Sequence, residues 1–130
     1  SKYLVKRLII EMKKKKISFT DSKILIMGLT FKENCSDIRN SKVFDIYNIL
    51  SKNKARVSIF DPIADKLEVY NQYGIKLIES PKKNFYNGII IAVSHKYFTK
   101  LGIRKIKSYM KKKSVLFDLK NSFKGKNKDV

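Results

Sequence analysis

Residues 24–43 read Ile-Leu-Ile-Met-Gly-Leu-Thr-Phe-Lys-Glu-Asn-Cys-Ser-Asp-Ile-Arg-Asn-Ser-Lys-Val. An apolar run, Ile24 to Met27, gives way at Gly28 to a long polar loop, and apolar spacing resumes at Val43. A strand buried on both faces, then a polar loop and a helix, is the opening unit of a parallel α/β sheet. Such a loop is where these sheets hold phosphate-bearing ligands. Lys32 and Arg39 lie in it, with Asn34, Asp37 and Asn40.

The alternation of elements continues outward from this stretch. Tyr3–Lys15 carries Leu4, Leu8, Ile9 and Met12 at helical spacing, and Lys13 to Lys16 suit the negative end of the helix dipole. Further strands are expected at Arg56–Phe60, Ile75–Ile78, Ile89–Val93 and Ser114–Leu119. Ser41 is the expected N-cap of a helix reaching Asn53, with Val43, Ile46, Tyr47 and Leu50 inward. Asp61 and Pro62 fit the cap and first turn of a helix reaching Tyr73, with Leu67 and Tyr70 inward and Gly74 as its stop. Lys96–Lys112 reads as one long helix burying Phe98, Leu101, Ile106 and Met110. The expected fold is α/β: a doubly wound, Rossmann-like, five-stranded parallel sheet of order 3-2-1-4-5. One helix precedes it and stands outside it, and the polar, Lys-rich tail after Asn121 is expected to fray.

At 130 residues the chain fits a single domain. Its net charge of +19 raises a nucleic-acid reading, because lysines neutralise phosphates and release counterions. The excess is almost wholly lysine, scattered through every segment, whereas readout of base edges favours arginine; the arginines are only Arg7, Arg39, Arg56 and Arg104. A solvated basic surface is therefore the better reading, and no specific nucleic-acid partner is expected. The apolar runs are too short to cross a bilayer, and Lys6, Arg7 and Glu11 interrupt Leu4 to Met12, so neither a membrane span nor a signal peptide is expected. A lone cysteine, Cys35, excludes an internal disulfide and fits a cytoplasmic location.

A dinucleotide-binding loop carries Gly-x-Gly-x-x-Gly so that backbone amides can approach a pyrophosphate. Only Gly28 is present here; Thr30 and Glu33 stand where the other glycines would fall. The loop is thus expected to use side chains. Asp61, ending the second strand, has the place of a ribose-binding acid, but capping accounts for it better. Lys32 offers a mobile charge and Arg39 a bidentate fork for phosphate; equally, Arg39 pairs with Asp37 or Glu33 and only orders the loop. Cys35 as a nucleophile needs a base, and the one histidine, His95, ends a neighbouring strand, although such residues are more often structural. The ligand set is too thin for a metal.

The run Gly28 to Val43 closely resembles the opening of the UDP-binding domain of the UDP-glucose/GDP-mannose dehydrogenases. The likeness continues through Val57-Ser-Ile-Phe-Asp-Pro62, Ile91-Ala-Val-Ser-His95 with Phe98, and Leu116-Phe-Asp-Leu-Lys120. Phe31-Lys-Glu-Asn-Cys35 is most similar to the branch oxidising UDP-N-acetylhexosamines for surface polysaccharides. The resemblance implies an NAD-dependent UDP-sugar 6-dehydrogenase of three parts: an N-terminal NAD domain, a central helical dimerisation domain, and this C-terminal one. It implies residues 1–20 as the end of the inter-domain helix and connector, 21–121 as the UDP-sugar-binding domain, and 122–130 as a polar tail. By position, Phe31, Lys32 and Lys120 match substrate-binding residues and Arg39 matches the arginine reaching NAD. The catalytic cysteine of the family lies in a Gly-x-Cys-x-Pro motif absent here, so no catalytic residue is carried over, Cys35 included. Ser36 departs from a proline common in that branch. Alone the chain is expected to be inactive, and the whole enzyme to be a homodimer or larger. The alternative readings are a free-standing nucleotide-sugar-binding module and, behind it, a basic nucleic-acid-binding domain.

Overall fold

In the computed structural model, which describes residues 1–124 and 128–129, β1 (Lys23–Met27) lies at the centre. Its side chains alternate between two cores. Ile24 and Ile26 face one core and Leu25 and Met27 the other, all four without solvent exposure. β1 pairs in parallel with β2 (Arg56–Phe60) on one side and β3 (Tyr86–Ile91) on the other, and β4 (Met110–Asp118) pairs in parallel with β3.

The sheet therefore has four strands in the order β2-β1-β3-β4, not five in the order 3-2-1-4-5. The expected strand at Ile75–Ile78 is missing. That segment follows the left-handed Gly74 directly and runs into Pro81, which leaves it little length. It lies beside β2 with a single backbone bond, Ile78 N–H to Ile59 O, and only Leu77 is buried. One bond at an edge does not make a ladder.

Helices α1 (Lys2–Lys14), α2 (Val43–Lys52) and α3 (Lys66–Tyr73) cover one face of the sheet, and α4 (Lys96–Leu101) and α5 (Ile103–Lys107) the other. α1 does not stand outside the sheet. Val5, Leu8 and Met12 enter the same core as Ile24, Ile90 and Val115. Leu8 is fully buried, so Leu8→Ala is expected to cost about 2–5 kcal/mol. Urea denaturation followed by circular dichroism checks this; a midpoint equal to that of the unaltered chain would mean that the helix is dispensable.

Other boundaries moved for identifiable reasons. The long helix expected over Lys96–Lys112 breaks at Gly102, whose φ of 89° and ψ of 152° are not helical, and Met110 belongs to β4. α3 starts four residues after Pro62, because the Asp65 carboxylate accepts from the amides of Leu67 and Glu68 and caps it there. That rotation buries Val69 and leaves Leu67 and Tyr70 exposed. Ser41 sits one residue before the N-cap of α2, Lys42; its hydroxyl accepts from Val43 N–H and donates to Leu29 O. The described part of the tail is not frayed. Asp118 accepts from the amides of Ser122 and Phe123, Phe123 is buried, and Asp129 pairs with Leu116 through backbone and carboxylate. The remaining tail residues, 125–127 and 130, lie outside the described residues.

Candidate functional site

The strand order reverses between β1 and β3, so their carboxyl ends part and leave a crevice, the usual ligand position in open α/β sheets. A cleft of about 370 Å³ lies there. Its walls come from Thr30 and Phe31 after β1, Asn40 to Val43 and Ile46 at the start of α2, Ala92 and Val93 after β3, and Leu119 and Lys120 after β4. Val43, Ile46, Val93 and Leu119 give it an apolar floor. Lys42 and Lys120 supply two ammonium groups, and no carboxylate is among the lining residues. The N-terminus of α2 adds the positive end of its dipole. An apolar floor under an unopposed positive rim suits a planar ring carrying phosphates.

Close backbone approach shapes this cleft. Gly28 has a φ of 99°, and a Cβ placed on it would stand 2.6 Å from the Val93 Cβ and 2.8 Å from the Val93 backbone nitrogen. Past Gly28 the loop is anchored by the fully buried Leu29 and Ile38. Asn34 and Asn40 both adopt φ of 59°, a left-handed conformation that asparagine tolerates better than most residues.

Beneath the loop is a buried polar unit. Asp61 Oδ2 accepts from the amides of Leu29 (2.6 Å) and Thr30 (3.2 Å) and from His95 Nε2 (3.0 Å). Its Oδ1 accepts from the amides of Ile63 (2.8 Å) and Ala64 (3.1 Å). Asp61 thus caps a turn and ties three strand ends together, rather than capping α3. Burial pushes its carboxyl up, but hydrogen bonds from His95, Leu29 and Ile63 outweigh this and hold it below the ordinary carboxylate value.

The loop residues singled out from sequence are only partly brought together. Phe31, 57% exposed, and Lys120 line the cleft; Lys32 is exposed beside Phe31 but does not line it. Arg39 is gripped by Asp37 through two bonds of 3.0 Å, Nε to Oδ1 and a terminal nitrogen to Oδ2, and stays exposed. The Arg39 guanidinium in turn holds the Asp37 carboxyl below its usual range. His95 cannot serve Cys35 as a base: Nδ1 accepts from Asn34 N–H, and Nε2 faces Asp61 and Thr30. Lys42 escaped the sequence reading because one lysine in a Lys-rich chain carries no signal. Asn34 carries one, as an asparagine in a turn, a place where this side chain commonly bonds backbone. Among the described residues no cluster of three or more His, Cys, Asp or Glu could hold a metal, and no helix is long and apolar enough to cross a membrane.

The family model described as UDP-glucose/GDP-mannose dehydrogenase family, UDP binding domain, matches residues 25–125. The chain belongs to this family. It is 42% identical over 128 residues to a UDP-N-acetyl-D-glucosamine 6-dehydrogenase of Salmonella typhi, covering 98% of this chain and 30% of that protein. It is 41% identical over 118 residues to the enzyme of the same name from Pseudomonas aeruginosa, covering 91% and 28%. Among solved structures it is similar to the UDP-N-acetyl-mannosamine dehydrogenase Cap5O from S. aureus, with a TM-score of 0.69 and 27% identity over 98% of this chain and 28% of that one. A UDP-D-ManNAc dehydrogenase from Pyrococcus horikoshii shares the fold, with a TM-score of 0.75 at 22% identity over 95% of this chain and 28% of that one. The chain thus spans under a third of the length of these relatives.

NAD does not fit the first loop of this family member. The two amides that would cradle its pyrophosphate, those of Leu29 and Thr30, already donate to Asp61, and Thr30 and Glu33 fill the glycine positions.

Proposed function

We propose that this chain is the substrate-binding, C-terminal part of a UDP-N-acetylhexosamine 6-dehydrogenase acting in surface-polysaccharide synthesis. The observation that carries the reading is the cleft at the β1/β3 divide, apolar below and flanked by Lys42 and Lys120 without a carboxylate. In this reading Lys120 and Lys32 neutralise the diphosphate and Phe31 covers the nucleotide-sugar. The enzyme oxidises the sugar C6 alcohol to a carboxylate. The change from alcohol to carboxylate removes four electrons, so two molecules of NAD each take one hydride and water supplies the second carboxylate oxygen. NAD is held by an N-terminal domain outside this chain, with Arg39 reaching it from the exposed side of the loop. A central helical domain and a homodimeric or larger assembly belong to the same proposal, as does a cytoplasmic location.

Kinetics of the enzyme that carries this chain test the assignment. Lys120→Ala is expected to raise the KM for the UDP-sugar about tenfold or more, the loss of one charge-assisted contact, with the NAD KM unchanged. Arg39→Ala is expected to do the reverse. A swapped pattern, or 6-dehydrogenase turnover by the 130-residue chain alone, overturns the reading.

A further inference from the structure

Phe31 and Lys32 project from a short arch of backbone, and both ends of that arch lead to one buried residue, His95. At its start, the amides of Leu29 and Thr30 donate to Asp61 Oδ2, which also receives His95 Nε2–H. In its middle, the Thr30 hydroxyl, 3.3 Å from His95 Nε2, donates to Lys32 O. At its end, Asn34 N–H donates to His95 Nδ1 at 2.9 Å, and the Asn34 side-chain oxygen accepts from Lys96 N–H at 2.9 Å. His95 is wholly buried, and the described residues contain no buried side-chain polar atom without a partner.

The ring's hydrogen bonds are not interchangeable. A backbone N–H can only donate, so Nδ1 must be the bare nitrogen and Nε2 must carry the proton. Asp61, an acceptor, holds the ring in that tautomer. The Asp61 carboxylate therefore determines, through the imidazole, that an acceptor is available for Asn34. Between the two pinned ends, Phe31 and Lys32 have no choice but to point outward. Phe31 N–H also donates to Asp37 O at 2.7 Å, so the same arch places the residue that grips Arg39.

We propose that His95 is a positioning residue: fixed by Asp61 as the Nε2–H tautomer, it pins Asn34 and thereby sets the Phe31–Lys32 arch for the sugar nucleotide. It touches no substrate and transfers no proton. The substrate half of this statement rests on the function proposed above; the pinning does not.

Two substitutions separate the two ring nitrogens. Gln in His95→Gln reaches Asp61 as a donor but offers Asn34 no acceptor, whereas Asn in His95→Asn offers an acceptor near the Nδ1 position and loses the Asp61 bond. In the enzyme that carries this chain, His95→Gln is expected to raise the UDP-sugar KM about tenfold, with kcat within about threefold and the NAD KM within about twofold. His95→Asn is expected to keep a UDP-sugar KM closer to that of the unaltered enzyme. In the 130-residue chain, hydrogen exchange at the Asn34 amide is expected to accelerate in His95→Gln while Ile26 and Ile90 in the sheet stay protected. The unaltered chain supplies a check that needs no variant to fold. Its single histidine gives one set of ring nitrogen resonances, expected to show a protonated Nε2 and a bare Nδ1. A protonated Nδ1, rapid exchange at Asn34, or a folded His95→Gln enzyme with unchanged UDP-sugar KM overturns the proposal. An unaltered enzyme that turns over no UDP-sugar defeats the functional reading and the substrate half here, and the ring spectrum then decides the pinning alone.

Discussion

Replacing Asp61 with alanine is expected to lower the midpoint of thermal unfolding by roughly 10–20 °C, the equivalent of about 3–5 kcal/mol at this chain length. The carboxylate is 1% exposed and receives five donors, four of them backbone amides. Without it the amides of Leu29 and Thr30 are left buried with no acceptor and the His95 Nε2–H keeps only the Thr30 hydroxyl at 3.3 Å, and each unpaired donor costs about 1–3 kcal/mol. Scanning calorimetry checks the size of the loss, and a shift under about 3 °C would mean that water replaces the carboxylate at little cost. The same group predicts the behaviour in acid. Its folded-state value lies below the unfolded one of about 3.9, so the unfolded chain binds more protons as the pH drops. Its stabilisation is complete above that value and is lost as pH falls through the folded-state value. Asp118 follows the same course: burial raises it, but Lys128 and the amides of Phe123 and Ser122 lower it further. Stability should therefore be level near neutrality and decline below about pH 4, less steeply in Asp61→Ala than in the unaltered chain.

Gly28→Ala is expected to be nearly as damaging, for a steric reason. A φ of 99° is costly for any residue with a Cβ, and the added carbon would meet Val93 at 2.6 and 2.8 Å, the second contact being to backbone that cannot rotate away. Conformational cost and overpacking together come to about 2–6 kcal/mol. Val93 lines the cleft, so on the function proposed above the enzyme that carries Gly28→Ala should also show a raised KM for the UDP-sugar. Gly74→Ala is the internal comparison. Gly74 also has positive φ, at 68°, but a Cβ there meets nothing within 4 Å, so about 1 kcal/mol is expected. Equal losses at the two positions would show that close approach to Val93 is not what requires glycine.

The parallel α/β class, the four observed strands and the position of the cleft were legible because Ile24–Met27 and Ile89–Val93 are continuous apolar runs and the loop between β1 and α2 is polar. Ile75–Ile78 has the composition of a fifth strand, but its apolar residues pack one by one against an edge without forming a ladder. The break at Gly102 is hidden in the sequence, since Phe98 and Ile106 keep helical spacing across a residue that is not helical. The role of Asp61 depended on partners far off in sequence, at Leu29, Thr30 and His95, so a local cap was the nearest reading available. Of the two sequence readings of Arg39, the geometry shows the pairing with Asp37, which also presents the guanidinium at the exposed side of the loop. Lys42 needed the cleft itself to distinguish it from its many solvated counterparts.

The internal carboxylate under the first loop also limits how this domain can be redesigned. Restoring glycine at positions 30 and 33 recreates the spelling of a dinucleotide fingerprint but not its electrostatics. A pyrophosphate arriving there would find the Leu29 and Thr30 amides already committed and would meet the Asp61 charge head-on. The negative charge that other sheets of this architecture borrow from a ligand is here built into the chain, so the loop is formed before any ligand arrives. Conversion to a dinucleotide carrier would have to begin at the end of β2 and not in the loop that bears the motif.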